Sequence, residues 1–369
     1  MVATLRRLTI GCRLKPFPLF FCMTTPHKPL TNIAIVGAGL AGLSCAQALS
    51  GAGHRVDVFE KSRGPSGRMS TRRGEDGGKP WQCDHGAQYF TAGDAAFRAE
   101  VARWQRAGAA AVWSGSIASF DGCRWSTPTT ETERFVGTPR MTSPAAYILK
   151  NLSAHATLHV QTTITQVQRS EGGWTLTSTE HGQHPTHYDT LVLAVPAPQV
   201  LPLLVGVSAA GHAVAASVRM RGSWALMLRC AQRIDLPFDA AFINAGALRW
   251  IARDSSKPGR SGTEEGAETW LLHAKAEWSE AHIEDDPASV TAALLEAFVA
   301  LGGSTQAISS TAHRWRYADT DPASTPAAGN PSSWWDAQAR LGLCGDWLHG
   351  GKVQGAWLSG QHIARSLLA

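Results

Sequence analysis

No apolar run in this 369-residue chain approaches the ~20 residues that a helix needs to cross a bilayer, so no membrane-spanning helix is expected. The seven cysteines form no CxxC pair and share no metal-type spacing with the 14 histidines, which excludes a zinc ribbon or a thiol–disulfide centre. An odd, unpatterned cysteine count suits a reducing compartment, and a cytoplasmic setting is expected. Cys45 and Cys344 read as small core residues. His181, His184 and His187 do recur every third residue, but in a polar turn, and no metal site is expected there. No Ser–His–Asp or Cys–His constellation, internal repeat or extended low-complexity segment stands out. Charge of one sign is also scarce where it would matter. The net charge of +5 is accounted for by Arg6, Arg7, Arg13, Lys15 and Lys28 in the first 30 residues, which contain no acid. The remainder balances, which removes the electrostatic case for a nucleic-acid partner.

At 44% hydrophobic the chain can bury a large core, and its length suggests two domains. Residues 1–30 read as an extension outside the fold. Their apolar stretch, Phe17 to Met23, is broken by Pro18, is too short for a secretory core and is followed by no small-residue cleavage site. Arg6-Arg7 lacks the hydrophobic core of a twin-arginine signal. Met23 is the expected start, with residues 1–22 an artefact or a disordered tail.

Residues 32–60 carry the clearest pattern. An apolar strand (Ile33 to Val36) runs into Gly37-Ala38-Gly39-Leu40-Ala41-Gly42, a helix-like segment follows, and a second strand (Val56 to Phe59) ends on Glu60. Gly37 permits the tight turn, Gly39 admits a pyrophosphate to the backbone, and Gly42 lets helix and strand pack closely. The helix N-terminus offers free N–H groups to phosphates. Glu60 follows Gly37 by 23 residues, near the ~20 expected of the acid that binds an adenosine ribose. A bound dinucleotide is the expectation.

The next segments narrow the choice. Lys61 to Arg73 (KSRGPSGRMSTRR) holds a glycine-rich turn and five cations, and Asp84 to Ala92 reads DHGAQYFTA. A basic loop directly after the ribose acid suits the long pyrophosphate of FAD, with Arg68 as a planar, permanently charged donor. At the far end, a short strand closes at Cys344-Gly345-Asp346, and a glycine-rich loop leads into a helix from about Gly355. Asp346 can hold a ribityl chain, and the helix N-terminus can face the flavin's pyrimidine edge. A second GxGxxG is missing, which disfavours reductases that hold NAD(P)H in a Rossmann domain of their own.

Together GAGLAGLSCA, GRMSTRR, DHGAQYFT, YDTLVLAVPAP (Tyr188 to Pro198), RWRYA (Arg314 to Ala318) and GDW…VQGAWLSG resemble the FAD-containing amine-oxidase-like superfamily, and more narrowly the renalase family and its bacterial members, over roughly residues 31–369. One departure is Ser66, where that family usually has a second glycine. The resemblance implies FAD contacts at Gly37, Gly39, Leu40, Ala41, Gly42, Glu60, Lys61, Arg68 and Met69. It extends them to Gly86, Ala87, Gln88, Ile164, Gly345, Asp346, Gln354 and Ala356. Trp357 and Ala356 stand where a flavin-linked cysteine would be sought, so FAD is expected to be non-covalent.

The fold class is α/β, a Rossmann-like FAD-binding domain with a discontinuous, mixed sheet-plus-helix substrate domain. The FAD domain is expected from 31–95, 152–200 and 334–369, and the substrate domain from 96–151 and 201–333. Helices are expected over Asp94 to Gly108, Ser143 to Asn151 and Pro287 to Leu301. Strands are expected over Leu158–Gln168, Gly173–Ser178 and Thr190–Val195, and in SWALMLRC, AAFINAG, LRWIARD and TWLLHAKAEW, with Asp321 to Ser333 a linker.

The renalase resemblance implies an oxidase that returns off-pathway dihydronicotinamide isomers to NAD(P)+, with dioxygen as electron acceptor and hydrogen peroxide as by-product. Pocket candidates are His273, Arg249, Trp250, Trp315 and Tyr317, an aromatic floor with an arginine suited to a phosphate-bearing nicotinamide. His85 is a further candidate against the flavin. Two other readings stay open: an amine oxidase or desaturase, and a non-catalytic flavin-binding redox sensor.

Overall fold

The first strand, Asn32–Val36, sits near the middle of a six-stranded sheet in a computed structural model that describes residues 30–128, 132–260, 267–324 and 332–369. The strand order is Trp334–Asp336, Leu341–Leu343, Thr190–Leu193, Asn32–Val36, Arg55–Phe59 and Ala156–His159. All neighbours are parallel except the edge strand Trp334–Asp336. Thr190–Leu193 is wholly buried, as a continuous apolar run between parallel neighbours should be. Helix Leu40–Gly51 covers one face and packs against the C-terminal helix Lys352–Leu368. The contact is close because Gly360 has no side chain: a Cβ there would lie 2.1 Å from Ala41 O. Ser44 Oγ adds a hydrogen bond to Trp357 O (2.9 Å).

A seven-stranded sheet forms the other half. Its order is Ala307–Thr320, Met220–Cys230, Glu268–Ala274, Leu248–Arg253, Ala240–Ile243, Ile117–Phe120 and Trp125–Ser126, antiparallel except where Ala240–Ile243 meets Ile117–Phe120. Helix Pro287–Val299, capped by Asp286 and started by a proline, lays Val290, Leu294 and Phe298 against Leu226, Leu228 and Trp270. Helix Ala95–Arg106 is capped by Asp94, whose Oδ1 accepts from Ala96 and Phe97 N–H (2.9 Å each). It buries Phe97, Val101 and Trp104, the face its periodicity predicts.

Four segments differ from the sequence reading. The run Leu158–Gln168 divides: Ala156–His159 joins the parallel sheet, and Ile164–Ser170 turns away to pair with Gly173–Ser178. The break falls at Gln161, whose φ of +50° redirects the chain. TWLLHAKAEW stops being a strand at Ala274 and continues as helix Ala276–Ala281. The basic turn is shorter than expected, because Thr71–Asp76 forms a hairpin with Lys79–Asp84. The last helix begins at Lys352, which places Gln354 in its first turn and Ala356 just beyond it. Of the expected linker, residues 325–331 lie outside the described residues, as do residues 1–29 of the N-terminal extension. No described helix is long and apolar enough to cross a membrane.

Candidate functional site

A cleft of about 3130 Å3 runs between the carboxyl ends of the parallel strands and the face of the seven-stranded sheet. Its floor is the glycine-rich turn. Gly37 takes φ +107°, which strains any residue with a Cβ, and an added Cβ would meet Ala194 O at 2.6 Å. A Cβ on Gly42 would lie 1.9 Å from Gly37 O, so this glycine serves the helix–strand contact and is not part of the cleft wall. Gly39 is different: nothing lies within 4 Å of an added Cβ, which leaves the space a pyrophosphate requires. Helix Leu40–Gly51 has no side-chain cap, and Gly39, Leu40 and Ala41 face the cleft.

Glu60 stands at the end of the second strand, 7% exposed. Its Oε2 accepts from Ala38 N–H (3.0 Å) and its Oε1 from Ser62 N–H (2.8 Å). A carboxylate has about four lone-pair positions, so two remain for ribose hydroxyls. Arg68, on the turn Gly67–Met69, reaches across to Asp346 and to Ala318 O (3.1 Å). Gly86 packs on that turn; a Cβ would fall 2.0 Å from Arg68 O, which accepts from Ala87 N–H (2.9 Å). Ser66 holds φ +114° in the same turn, where its Oγ donates to Met69 O (2.7 Å). These features fit a long dinucleotide: an open glycine-rich cradle, an acid with spare acceptors, and an arginine and an aspartate from opposite ends of the chain.

The other expected cofactor contacts divide by what their side chains already do. Lys61, Met69, Ala87, Ile164, Gly345 and Ala356 line the cleft. Gln354 also lines it, but its Oε1 accepts from Gly93 and Asp94 N–H (2.7 and 3.0 Å), so only its amide nitrogen is left for a ligand. Gln88 is fully engaged within the protein. It donates to Asp84 O (2.5 Å) and Gly86 O (3.2 Å) and accepts from Lys257 Nζ (3.2 Å), which makes it a brace of its own loop.

The substrate-side candidates do converge. His273 Nε2 (3.1 Å) and Trp315 Nε1 (2.9 Å) both donate to His85 O, which fixes the Nε2–H tautomer of His273. The His85 ring stacks on Trp315 at 5.2 Å and meets His313 edge-on at 4.7 Å. Burial, then His313, pushes His85 down to about 3; burial, then Arg249, does the same for His273. Both imidazoles are neutral at physiological pH. Trp250 packs between Tyr89 (5.5 Å) and Phe242 (4.7 Å), and Tyr317 completes the wall. Arg249 is not a free phosphate ligand: it is paired with Asp319 at 2.5 Å.

Sequence reasoning missed a buried charge cluster behind this wall. Lys257 Nζ donates to Asp84 Oδ2 (3.2 Å) and Asp254 Oδ1 (2.7 Å), and Arg260 pairs with Asp84 and donates to Gly137 O (2.9 Å). Thr71 Oγ1 (2.6 Å) and Met141 N–H (3.1 Å) both donate to Asp84 Oδ1. Burial opposes the Asp84 charge, but Lys257 and Arg260 hold it down to about 2; burial and Asp84 itself push Asp254 up. The triplet spacing of Asp254, Lys257 and Arg260 was visible, but in a segment that reads as an ordinary polar loop. Among the described residues no cluster of His, Cys, Asp and Glu could hold a metal ion. His184 of the histidine turn instead accepts or donates at Tyr188 Oη (2.9 Å).

Residues 35–102 match the NAD(P)-binding Rossmann-like domain family. The chain is 40% identical over 74 residues to an L-amino-acid oxidase of Siganus canaliculatus, covering 20% of this chain and 14% of that one. It is 57% identical over 42 residues to the L-amino-acid oxidase of Daboia russelii, covering 11% and 8%. The chain thus spans only a small part of the length of these curated relatives. Likeness to solved structures extends much further. Cyclohexylamine oxidase from Brevibacterium oxydans IH-35A superposes with a TM-score of 0.67 at 12% identity, over 92% of this chain and all of that one. A putrescine oxidase bound to putrescine superposes with a TM-score of 0.65 at 12% identity, over 92% and 99%. The class is therefore a mixed α/β protein with a dinucleotide-binding Rossmann half. More particularly, its fold is the one shared by these amine-oxidising enzymes.

Proposed function

We propose that this chain is an FAD-dependent oxidase that binds its cofactor non-covalently and takes a hydride from a dihydronicotinamide isomer of NAD(P). Electrons pass to dioxygen, so that donor, dioxygen and one proton give NAD(P)+ and hydrogen peroxide. Bound FAD would supply the hydride acceptor and the centre that reduces dioxygen. The observation that carries the reading is one cleft lined both by Gly37, Gly39, Glu60, Arg68 and Asp346 and by His85, Trp315 and His273. The chain's own residues then have definable tasks. Glu60 and the turn bind the adenosine half, and Trp315 with Tyr317 positions a flat ring and excludes water. Losing a hydride makes the nicotinamide ring a cation. A wall of neutral imidazoles and an indole face suits that developing charge better than protonated histidines would. The buried, unpaired thiols Cys45, Cys83, Cys230 and Cys344 suit a reducing cytoplasm.

A second reading, oxidation of an amine, is favoured by one feature: the aromatic group Tyr89, Trp250 and Phe242 beside the cleft, in a fold shared with amine oxidases. Rapid mixing of the oxidised holoprotein with dihydronicotinamide isomers, alkylamines and ordinary NADPH separates the possibilities. Fast loss of flavin absorbance with the isomers supports the proposal. Loss with amines alone supports the second reading, and no reduction by any donor points to a binding or sensing role.

A further inference from the structure

Charge in the folded chain is segregated. Residues 31–369 hold equal numbers of basic and acidic residues, yet the described wall of the cleft carries ten lysines and arginines against four carboxylates. FAD contributes two phosphate charges, which leaves a cationic surplus that the cofactor does not neutralise. Much of the surplus is tied up or sits at the adenosine end. Arg68 pairs with Asp346, Arg249 with Asp319, and Arg314 and Arg316 with Glu284. Lys61 and Arg63 directly follow the ribose acid Glu60.

Of the remaining wall cations, Arg72, Arg73 and Lys352 are exposed and their side chains make no ion pair or hydrogen bond among the described residues; Arg72 is set apart by its neighbours. Its strand pairs it opposite Cys83, so it neighbours the Asp84–His85 segment that carries the ring wall. After burial, its charge is a further cause that lowers both His85 and His313. His313 and Trp315 lie 4.5 Å apart on the same strand, beside the place proposed for the donor's ring.

We propose that Arg72 forms a phosphate subsite at the substrate end of the cleft, so that the donor is a polyanion held by a phosphate as well as by its ring. This rests on the dihydronicotinamide reading only for the identity of that ring. A planar guanidinium binds phosphate through two parallel hydrogen bonds, and the surrounding surplus draws the anion in from solution.

Adenosine diphosphate, titrated calorimetrically into the fully FAD-loaded protein, tests the subsite without turnover, because the cofactor's own adenosine site is then filled. Wild type should bind it, less tightly as salt is raised. Arg72→Gln should weaken binding by about tenfold, the loss of one charge-assisted partner. Arg72→Lys should fall between the two. Arg219→Gln, an exposed residue paired with Glu280 outside the cleft, should bind like wild type. In turnover, Arg72→Gln should raise KM for a dihydronicotinamide dinucleotide with kcat held, and leave an N-alkyl dihydronicotinamide lacking phosphate unaffected. Undiminished binding of adenosine diphosphate by Arg72→Gln, or none by wild type, overturns the proposal. If Arg72→Gln does lose binding but no dihydronicotinamide reduces the flavin, the subsite stands and the donor's ring has been misidentified.

Discussion

Arg68 and Asp346, 278 residues apart, meet in a two-pronged ion pair, Nη2 to Oδ1 at 2.5 Å and Nη1 to Oδ2 at 3.0 Å. The pair joins the turn after the first Rossmann unit to the strand–helix corner near the C-terminus. Because Arg68 Nη1 also donates to Ala318 O, a single guanidinium connects both sheets at the cleft. Arg68→Ala should therefore reduce FAD retention and lower Tm together, since it strands the Asp346 carboxylate, whose side chain is only 9% exposed. Arg68→Lys should recover part of both, as a point charge without the planar fork. The flavin-to-protein absorbance ratio after gel filtration reads the first effect; full loading of the alanine variant would refute the assignment.

Glu60→Ala should weaken FAD retention by more than ribose contacts alone imply. Its carboxylate accepts from the N–H groups of Ala38 and Ser62, and charge-assisted bonds of this kind contribute roughly 1.5–3 kcal/mol each. The variant should then lose apoprotein stability as well as cofactor, with the glycine-rich turn loosened. A variant with wild-type Tm and stoichiometric yellow cofactor would show that Glu60 performs neither task.

How far the sequence could be read depended on whether the interaction was local. The Rossmann unit was legible because its turn, helix and acid lie within 30 residues and each obeys a backbone rule. Thr190–Leu193 was legible as a buried parallel strand from its uninterrupted apolar run. The pairing of Arg68 with Asp346 was not, because both residues suit a ligand equally well and only the fold brings them together. Arg249 misled for the same reason: its partner, Asp319, lies on another strand of the same sheet, 70 residues away. The Asp84–Lys257–Arg260–Asp254 cluster was not legible, since its two segments lie about 170 residues apart and the triplet spacing of Asp254, Lys257 and Arg260 suits an ordinary polar loop equally well. The end of the TWLLHAKAEW strand was obscured by side chains that suit either a buried strand or a helix.

Ser66 tests whether the departure from glycine matters. At φ +114° a residue with a Cβ is strained by roughly 1–3 kcal/mol, and the Oγ bond to Met69 O returns about 0.5–1.5 kcal/mol of that. Ser66→Gly removes both and should leave stability unchanged or slightly raised. Ser66→Ala keeps the strain, loses the bond, and should be less stable by about 1 kcal/mol. Urea titrations of the pair decide it; an alanine variant as stable as the glycine one would mean the turn relaxes.

Lys257→Met should be among the most damaging single changes outside the cleft wall. The ammonium is fully buried between Asp84 and Asp254, and removing one partner from such a cluster costs roughly 3–5 kcal/mol. The effect should reach the site through Gln88 and His85, so any variant that folds should show an altered flavin absorbance envelope. A folded variant with an unchanged spectrum would confine the cluster to a packing role.

Acid should destabilise the protein well above the range where carboxylates titrate. His85 and His273 are buried neutral, with burial lowering both to about 3, whereas an unfolded histidine takes a proton near 6.5. Below 6.5 the unfolded chain therefore binds protons that the folded chain refuses, and stability rises with pH across the interval from about 3 to 6.5. The Asp84 carboxylate, held down to about 2, acts in the same sense at lower pH: its contribution is present above about 3.9 and is lost as pH falls toward 2. Tm should thus drop between pH 7 and pH 5, before any carboxylate is engaged. His273→Asn keeps a donor in that region without the titration, so its Tm should depend less steeply on pH over this span. An equal slope in the variant and wild type would mean that His273 takes up its proton without leaving the fold.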